Sequence, residues 1–148
     1  MRQVTLWVIV ATSLLLSGCD SGRGGLVKVT GRVTLNGGDW PYPGVLILAP
    51  ISSAAADGSL RPAQAPFDTS GHFVAHTWKP GDGVLPGTYK VAVECWEVPP
   101  TMDGPPAQGP VPEKYRTVTT SDLQFEASPD RDDVEVTLDV PTRAESRN

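Results

Sequence analysis

The chain has 148 residues, a formal net charge of −5, and glycine and proline at 15 residues each. That length fits one domain rather than two once an N-terminal leader is set aside, and the acidic balance disfavours nucleic acid and electrostatic attachment to anionic lipid. So much glycine and proline is high for a helical protein and normal for a loop-rich β protein.

Met1-Arg2 opens the chain, an apolar run covers Val4–Leu16, and Leu16-Ser17-Gly18-Cys19 closes it. A positive start, a greasy stretch and small residues at a cut site form a secretory signal. The run is shorter than the roughly 20 apolar residues that span a bilayer, and a plain secretory peptide needs no cysteine. The closing four residues resemble a bacterial lipobox, in which the cysteine thiol is acylated and the chain is cut just before it. This reading predicts a signal peptide at 1–18, a lipidated tether at 19–25, one domain at 26–141 and a frayed tail at 142–148. Acyl burial contributes about 0.8 kcal/mol per CH₂, so two or three chains hold firmly. Lipid on Cys19 implies an extracytoplasmic protein tethered to a bacterial membrane, with inner and outer membrane both open.

Beyond the small-residue tether, period 2 replaces helical periodicity. Val27–Leu35 alternates as a strand, with Gly31 on the apolar face marking a bulge or a close backbone approach. Asn36-Gly37-Gly38-Asp39 turns the chain. Val45–Ala49 is an apolar strand that Pro50 should stop, followed by a loop over 51–62. Ala63–Phe67, a hairpin loop at Asp68-Thr69-Ser70-Gly71, and a strand over His72–Trp78 come next. Thr88–Val98 has the clearest alternation, with Tyr89, Val91, Val93 and Cys95 inward and Trp96 outward. Six prolines within 99–112 predict an extended loop. Asp122–Ala127 and Val134–Val140 finish the domain. Six or seven short strands without a helix predict an all-β sandwich.

Three segments carry a family resemblance: Val29-Thr30-Gly31-Arg32-Val33-Thr34-Leu35-Asn36-Gly37, Asp68-Thr69-Ser70-Gly71-His72-Phe73, and Leu85-Pro86-Gly87-Thr88-Tyr89-Lys90-Val91-Ala92-Val93. Pro112-Glu113-Lys114-Tyr115 and Thr120-Ser121-Asp122-Leu123 follow. In this order behind a lipobox, they resemble a bacterial family of small lipoproteins with a carboxypeptidase-regulatory-like, transthyretin-like domain. The resemblance implies a seven-stranded, prealbumin-like β-sandwich and no defined activity. A transthyretin-related hydrolase of 5-hydroxyisourate is similar in fold only: Tyr115-Arg116-Thr117-Val118 is the nearest echo of its C-terminal Tyr-Arg-Gly-Ser. The departure from the family pattern is Asp39-Trp40-Pro41-Tyr42-Pro43, where two aromatics enter a loop.

The chemistry-bearing residues point away from catalysis. Cys95 is left unpaired once Cys19 takes lipid, and a lone interior thiol packs as a small hydrophobe. His72 and His76 share a strand face roughly 13 Å apart, too far for one ion. Asp130, Asp132 and Asp133 lack the glycine and distal glutamate of a calcium loop and read as a solvated turn. No metal and no cofactor is expected. Trp40, Tyr42, Trp78 and Trp96 are the candidate ligand-binding residues, since exposed aromatics mark binding surfaces. The opposing possibility is that the long loops fold back over them. The expected role is a non-enzymatic, membrane-anchored envelope module for binding or scaffolding. Its partners would be membrane lipid through Cys19 and an envelope protein or glycan, with no nucleic acid. The alternative is a carbohydrate- or peptide-binding accessory module.

Overall fold

The computed structural model describes residues 25–141. The expected signal peptide, Cys19 and its tether, and the tail at 142–148 lie outside the described residues. Seven strands follow one another: β1 (Lys28–Leu35), β2 (Gly44–Ser53), β3 (Ala63–Phe67), β4 (His72–Val74), β5 (Gly87–Glu94), β6 (Gln124–Ala127) and β7 (Asp133–Val140). The single 3₁₀ turn among the described residues, Glu113–Tyr115, packs against β5 and buries Tyr115. No helix among the described residues is long and apolar enough to cross a membrane.

The strands hydrogen-bond in the order β6-β5-β2-β3-β4-β1-β7. This is one continuous sheet curled into a near-barrel, where two separate sheets were expected. The seam between its halves is thin: β3 meets β4 in register only at Phe67–Phe73. Pro66, which brings no N–H, stands beside that seam. β1 and β7 run parallel from Lys28–Asp133 to Leu35–Val140, while the other pairs are antiparallel. Inward residues of both halves, Val29, Val33, Leu46, Leu48, Val91 and Leu138 among them, form one buried cluster. The alternation of β5 holds as expected, with Tyr89, Val91, Val93 and Cys95 all buried.

Several boundaries move, each for a local reason. Pro50 does not stop β2, which runs on to Ser53. β3 pairs with it only as far as Leu48, leaving an open edge, and the register against β5 slips between Pro50 and Ser52. An open edge and a bulge are the two settings in which a strand tolerates proline. The loop expected from residue 51 therefore begins after Ser53 and is tied back by Ser53 Oγ donating to the Ser59 carbonyl at 2.7 Å. The strand expected over His72–Trp78 ends at Val74, and only a bridge at His76 continues it. β5 stops at Glu94 because β2 offers it no partner before Val45; Val98 bridges to Gln108 in the proline-rich loop instead.

Two turns govern the register. Asn36 and Gly37 both have positive φ (52° and 74°), and Leu35 and Gly38 exchange both backbone hydrogen bonds, as a type I′ turn requires. Asp139 of β7 clasps this turn, its Oδ1 accepting from Gly37 N at 2.8 Å and Thr34 Oγ1 at 2.6 Å. At the entry to β5 the Tyr89 hydroxyl donates to the Leu85 carbonyl at 2.8 Å, a tyrosine corner that holds the Pro86-Gly87 bend.

Burial pushes the Tyr89 phenol up to about 12 from its ordinary 10. Folding therefore disfavours its ionisation. The stability this adds is whole below pH 10 and drains away as pH rises from 10 to 12, at up to about 1.4 kcal/mol per pH unit. Tyr89→Phe should cost about 1 kcal/mol at pH 7 through the lost hydrogen bond. Urea unfolding at pH 7 and pH 11 checks this: the wild-type advantage should shrink or reverse at the higher pH.

Candidate binding cleft

The strand register sorts the loops onto two ends of the barrel. The starts of β1, β5 and β7 and the ends of β2 and β6 share one end, because Lys28 pairs with Asp133, Ser53 with Gly87, and Gly87 with Ala127. The opposite end carries the Asn36-Gly37 turn, the Trp40–Pro43 loop, the β3–β4 turn and the exit of β5. β2 alone has 10 residues, so the two ends stand roughly 30 Å apart.

At the first end lies a cleft of about 770 Å³ with a mainly apolar lining. Ala54, Ala55 and Ala56 line it together with Leu85 and Pro86, with Ala54 N donating to the Pro86 carbonyl at 2.9 Å. The exposed side chains of Trp78 and Arg61 stand at its rim, and Gly25 and Pro129, the latter between β6 and β7, also line it. Trp78 is 41% exposed, and the Arg61 guanidinium lies over its ring at 5.5 Å from the centroid. Such a pair holds an indole flat without covering both its faces.

Asp82 sets the position of Trp78. Its Oδ1 accepts from Thr77 N at 2.8 Å, and its Oδ2 from Trp78 N at 3.1 Å and Lys79 N at 2.9 Å. Partial burial works against ionisation here, but the backbone donors outweigh it and hold the carboxyl below its usual range. Asp82 was missed as a functional candidate; the signal available was an aspartate flanked by glycines just after an exposed tryptophan. A group with a depressed folded-state pKa stabilises above its unfolded value of 3.8 and loses that contribution as pH falls through the folded one. Asp82→Ala should cost about 2 kcal/mol at pH 7 through the lost charge-assisted hydrogen bonds, and progressively less as pH falls below 3.8. It should also loosen Trp78, read as lower fluorescence anisotropy in a variant whose other tryptophans are phenylalanine.

The four aromatics do not form one platform. Trp40 is buried at 3% exposure, with its indole N–H donating to the Val33 carbonyl at 2.8 Å and its ring 4.9 Å from that of Phe67. It is a core residue, because the loop after β1 folds inward over the barrel end. Tyr42 is half-buried at the same end, where it lines a shallow depression with Glu97, Gln108 and Arg116. Partial burial and then the Glu97 carboxylate raise its phenol above the ordinary value. Trp96, outward by alternation, is half-buried beneath Arg116, whose guanidinium lies 4.9 Å from the ring centroid. Arg116 is held there by donating from Nε to the Val111 carbonyl at 2.9 Å. The long loop thus folds back on Trp96, and Trp78 alone stays open at the other end.

The remaining candidates sit apart from the cleft. Cys95 is buried, its thiol donating to the Tyr42 carbonyl at 3.3 Å, and burial raises its pKa. His72 opens β4 beside the β3–β4 turn: Ser70 Oγ lies 2.8 Å from His72 Nδ1 and donates to Asp68 Oδ1 at 2.6 Å. In a catalytic triad the imidazole stands between hydroxyl and carboxylate. Here the hydroxyl stands between them and braces a turn. His76 bridges to Gln64 and Gly83 in a different setting. Among the described residues no group of three or more His, Cys, Asp or Glu side chains is placed to hold a metal ion. Compared with known proteins, the chain matches no family model, no curated protein and no solved structure.

Proposed function

We propose that this chain is a lipid-anchored envelope protein whose β body is a non-catalytic binding module, with the Trp78 cleft as its contact surface. The observation that carries the binding role is the cleft itself. It is concave and mainly apolar, with an exposed indole at its rim held by an arginine and by three backbone bonds to Asp82. Binding sites are commonly concave and apolar with a few oriented polar groups. The anchor rests on the motif Leu16-Ser17-Gly18-Cys19 behind its apolar run. A prealbumin-like reading of the fold is supported by the seven strands and by the Pro-Gly-x-Tyr corner at Tyr89.

The anchor is tested by fractionating cells that express the wild type and Cys19→Ser. The wild type should partition into membranes and carry acyl mass on a chain that begins at Cys19. The variant should accumulate as precursor or in the soluble fraction, and membrane partition equal to wild type would sink the anchor. For the cleft, a ligand that enters it should shift Trp78 emission, and Trp78→Ala should weaken the same association when read by calorimetry. The reading of a sugar or peptide site built from all four aromatics is narrowed to Trp78, since Trp40 is buried and Tyr42 and Trp96 lie at the far end.

A further inference from the structure

The position of Gly25 decides which end of the barrel a lipid anchor would hold down. Gly25 lines the cleft, and Val27 bridges to Val84 directly behind it. Six peptide steps separate Cys19 from Gly25, and six steps span at most about 20 Å. The far end of the barrel lies roughly 30 Å further along the strands. Whatever the body's tilt, an acylated Cys19 keeps the cleft end near the bilayer surface, and no such limit brings the Tyr42 end there.

The residues exposed around that end match such a surface. Ile51 and Leu60 are each 53% exposed, and Trp78 is 41% exposed. Ile51 stands at the β2 bulge, Leu60 in the loop after β2, and Trp78 on the cleft rim. Tryptophan prefers the headgroup level of a bilayer, where its ring is half in apolar surroundings. Arg61 and Lys79 flank it with long stems and charged heads that can reach phosphate. Asp57, Asp130, Asp132 and Asp133 share this end and outnumber those two cations, so the contact is apolar rather than an electrostatic attraction to anionic lipid. Zwitterionic lipid is therefore the proper probe.

We infer that the cleft end rests on the membrane carrying the anchor, with Ile51, Leu60 and Trp78 seated among lipid headgroups and the cleft facing the bilayer. This names lipid as the occupant of the proposed binding surface and rests on the lipid-anchor reading. The tether supplies a high local concentration, so three modest apolar contacts suffice where the free body would dissociate.

The test uses the native lipoprotein reconstituted into phosphatidylcholine vesicles, some with brominated acyl chains that quench nearby indoles. Trp78 emission should shift to the blue on reconstitution and lose much of its intensity in the brominated vesicles. Trp78→Phe should remove that quenched component, with buried Trp40 unaffected. Ile51→Asp combined with Leu60→Asp should relieve the quenching while the protein still co-floats with the vesicles. Co-flotation without any quenching of Trp78 would overturn the docking but leave the anchor standing. Failure to co-float would remove the anchor itself, and the docking with it. A Trp78 signal that answers soluble glycans or peptides but not vesicles would assign the cleft to those ligands and overturn the membrane contact.

Discussion

Replacing Trp40 with alanine should lower the unfolding free energy by about 3–5 kcal/mol, the range for emptying a buried aromatic site. That is a large share of the 5–15 kcal/mol or so that holds a typical domain together. The indole is 3% exposed and packs tilted against Phe67 at 4.9 Å. Its N–H reaches the Val33 carbonyl on β1, and its backbone N–H reaches the Thr69 carbonyl at 2.7 Å. One residue thus ties the β1–β2 loop to β1 and to the β3–β4 turn. Trp40→Phe keeps most of the packing and strips the indole donor, so about 1–2 kcal/mol is expected from the hydrogen bond and the smaller ring. Urea unfolding followed by circular dichroism measures both. A surface platform would behave in the opposite way, with ligand binding lost and stability unchanged in the alanine variant.

Gly31→Ala should destabilise nearly as much, by about 3 kcal/mol, at the upper end of what overpacking a well-packed site costs. β1 lies between β4 and β7, and Gly31 pairs with Phe73 on one side and Val136 on the other. A Cβ at this position would overlap the Val136 carbonyl and stand 3.0 Å from the Phe73 ring. The parallel register from Lys28–Asp133 to Leu35–Val140 fixes the carbonyl, and Phe73 is itself buried in the core. Neither can retreat without opening a strand. Gly38→Ala is the control, since a Cβ there would meet only the Leu35 carbonyl at an ordinary 3.5 Å. It should melt at or slightly above the wild type, since alanine restricts the unfolded chain, and a loss at Gly31 no larger than the change at Gly38 would show that the Val136 contact does not govern position 31.

Much of the barrel was legible because each strand has one face on a shared core. Alternation in β1, β5 and β7 named their inward residues, and Gly31 stood out as a glycine among valines on an apolar face. The Asn36-Gly37 turn was legible because positive φ at two successive positions restricts which residues fit. The site was less so. Trp40 sits in a loop, where no period separates inside from outside, and only the inward fold of that loop buries it. Trp96 obeyed alternation but lies under Arg116, brought from beyond the proline-rich segment. Whether Pro50 ends β2 depends on where its neighbours stop.

The order of residues by itself determined that the chain is all-β, where most strands run, and which side of each is greasy, because those are consequences of local period and turn stereochemistry. Which aromatic is core, which is covered and which is open was decided only when the strands paired. So was the coincidence of Gly25, Trp78 and Leu85 at one end. Register is a long-range property: it sets partners tens of residues apart side by side, and no local pattern records that choice.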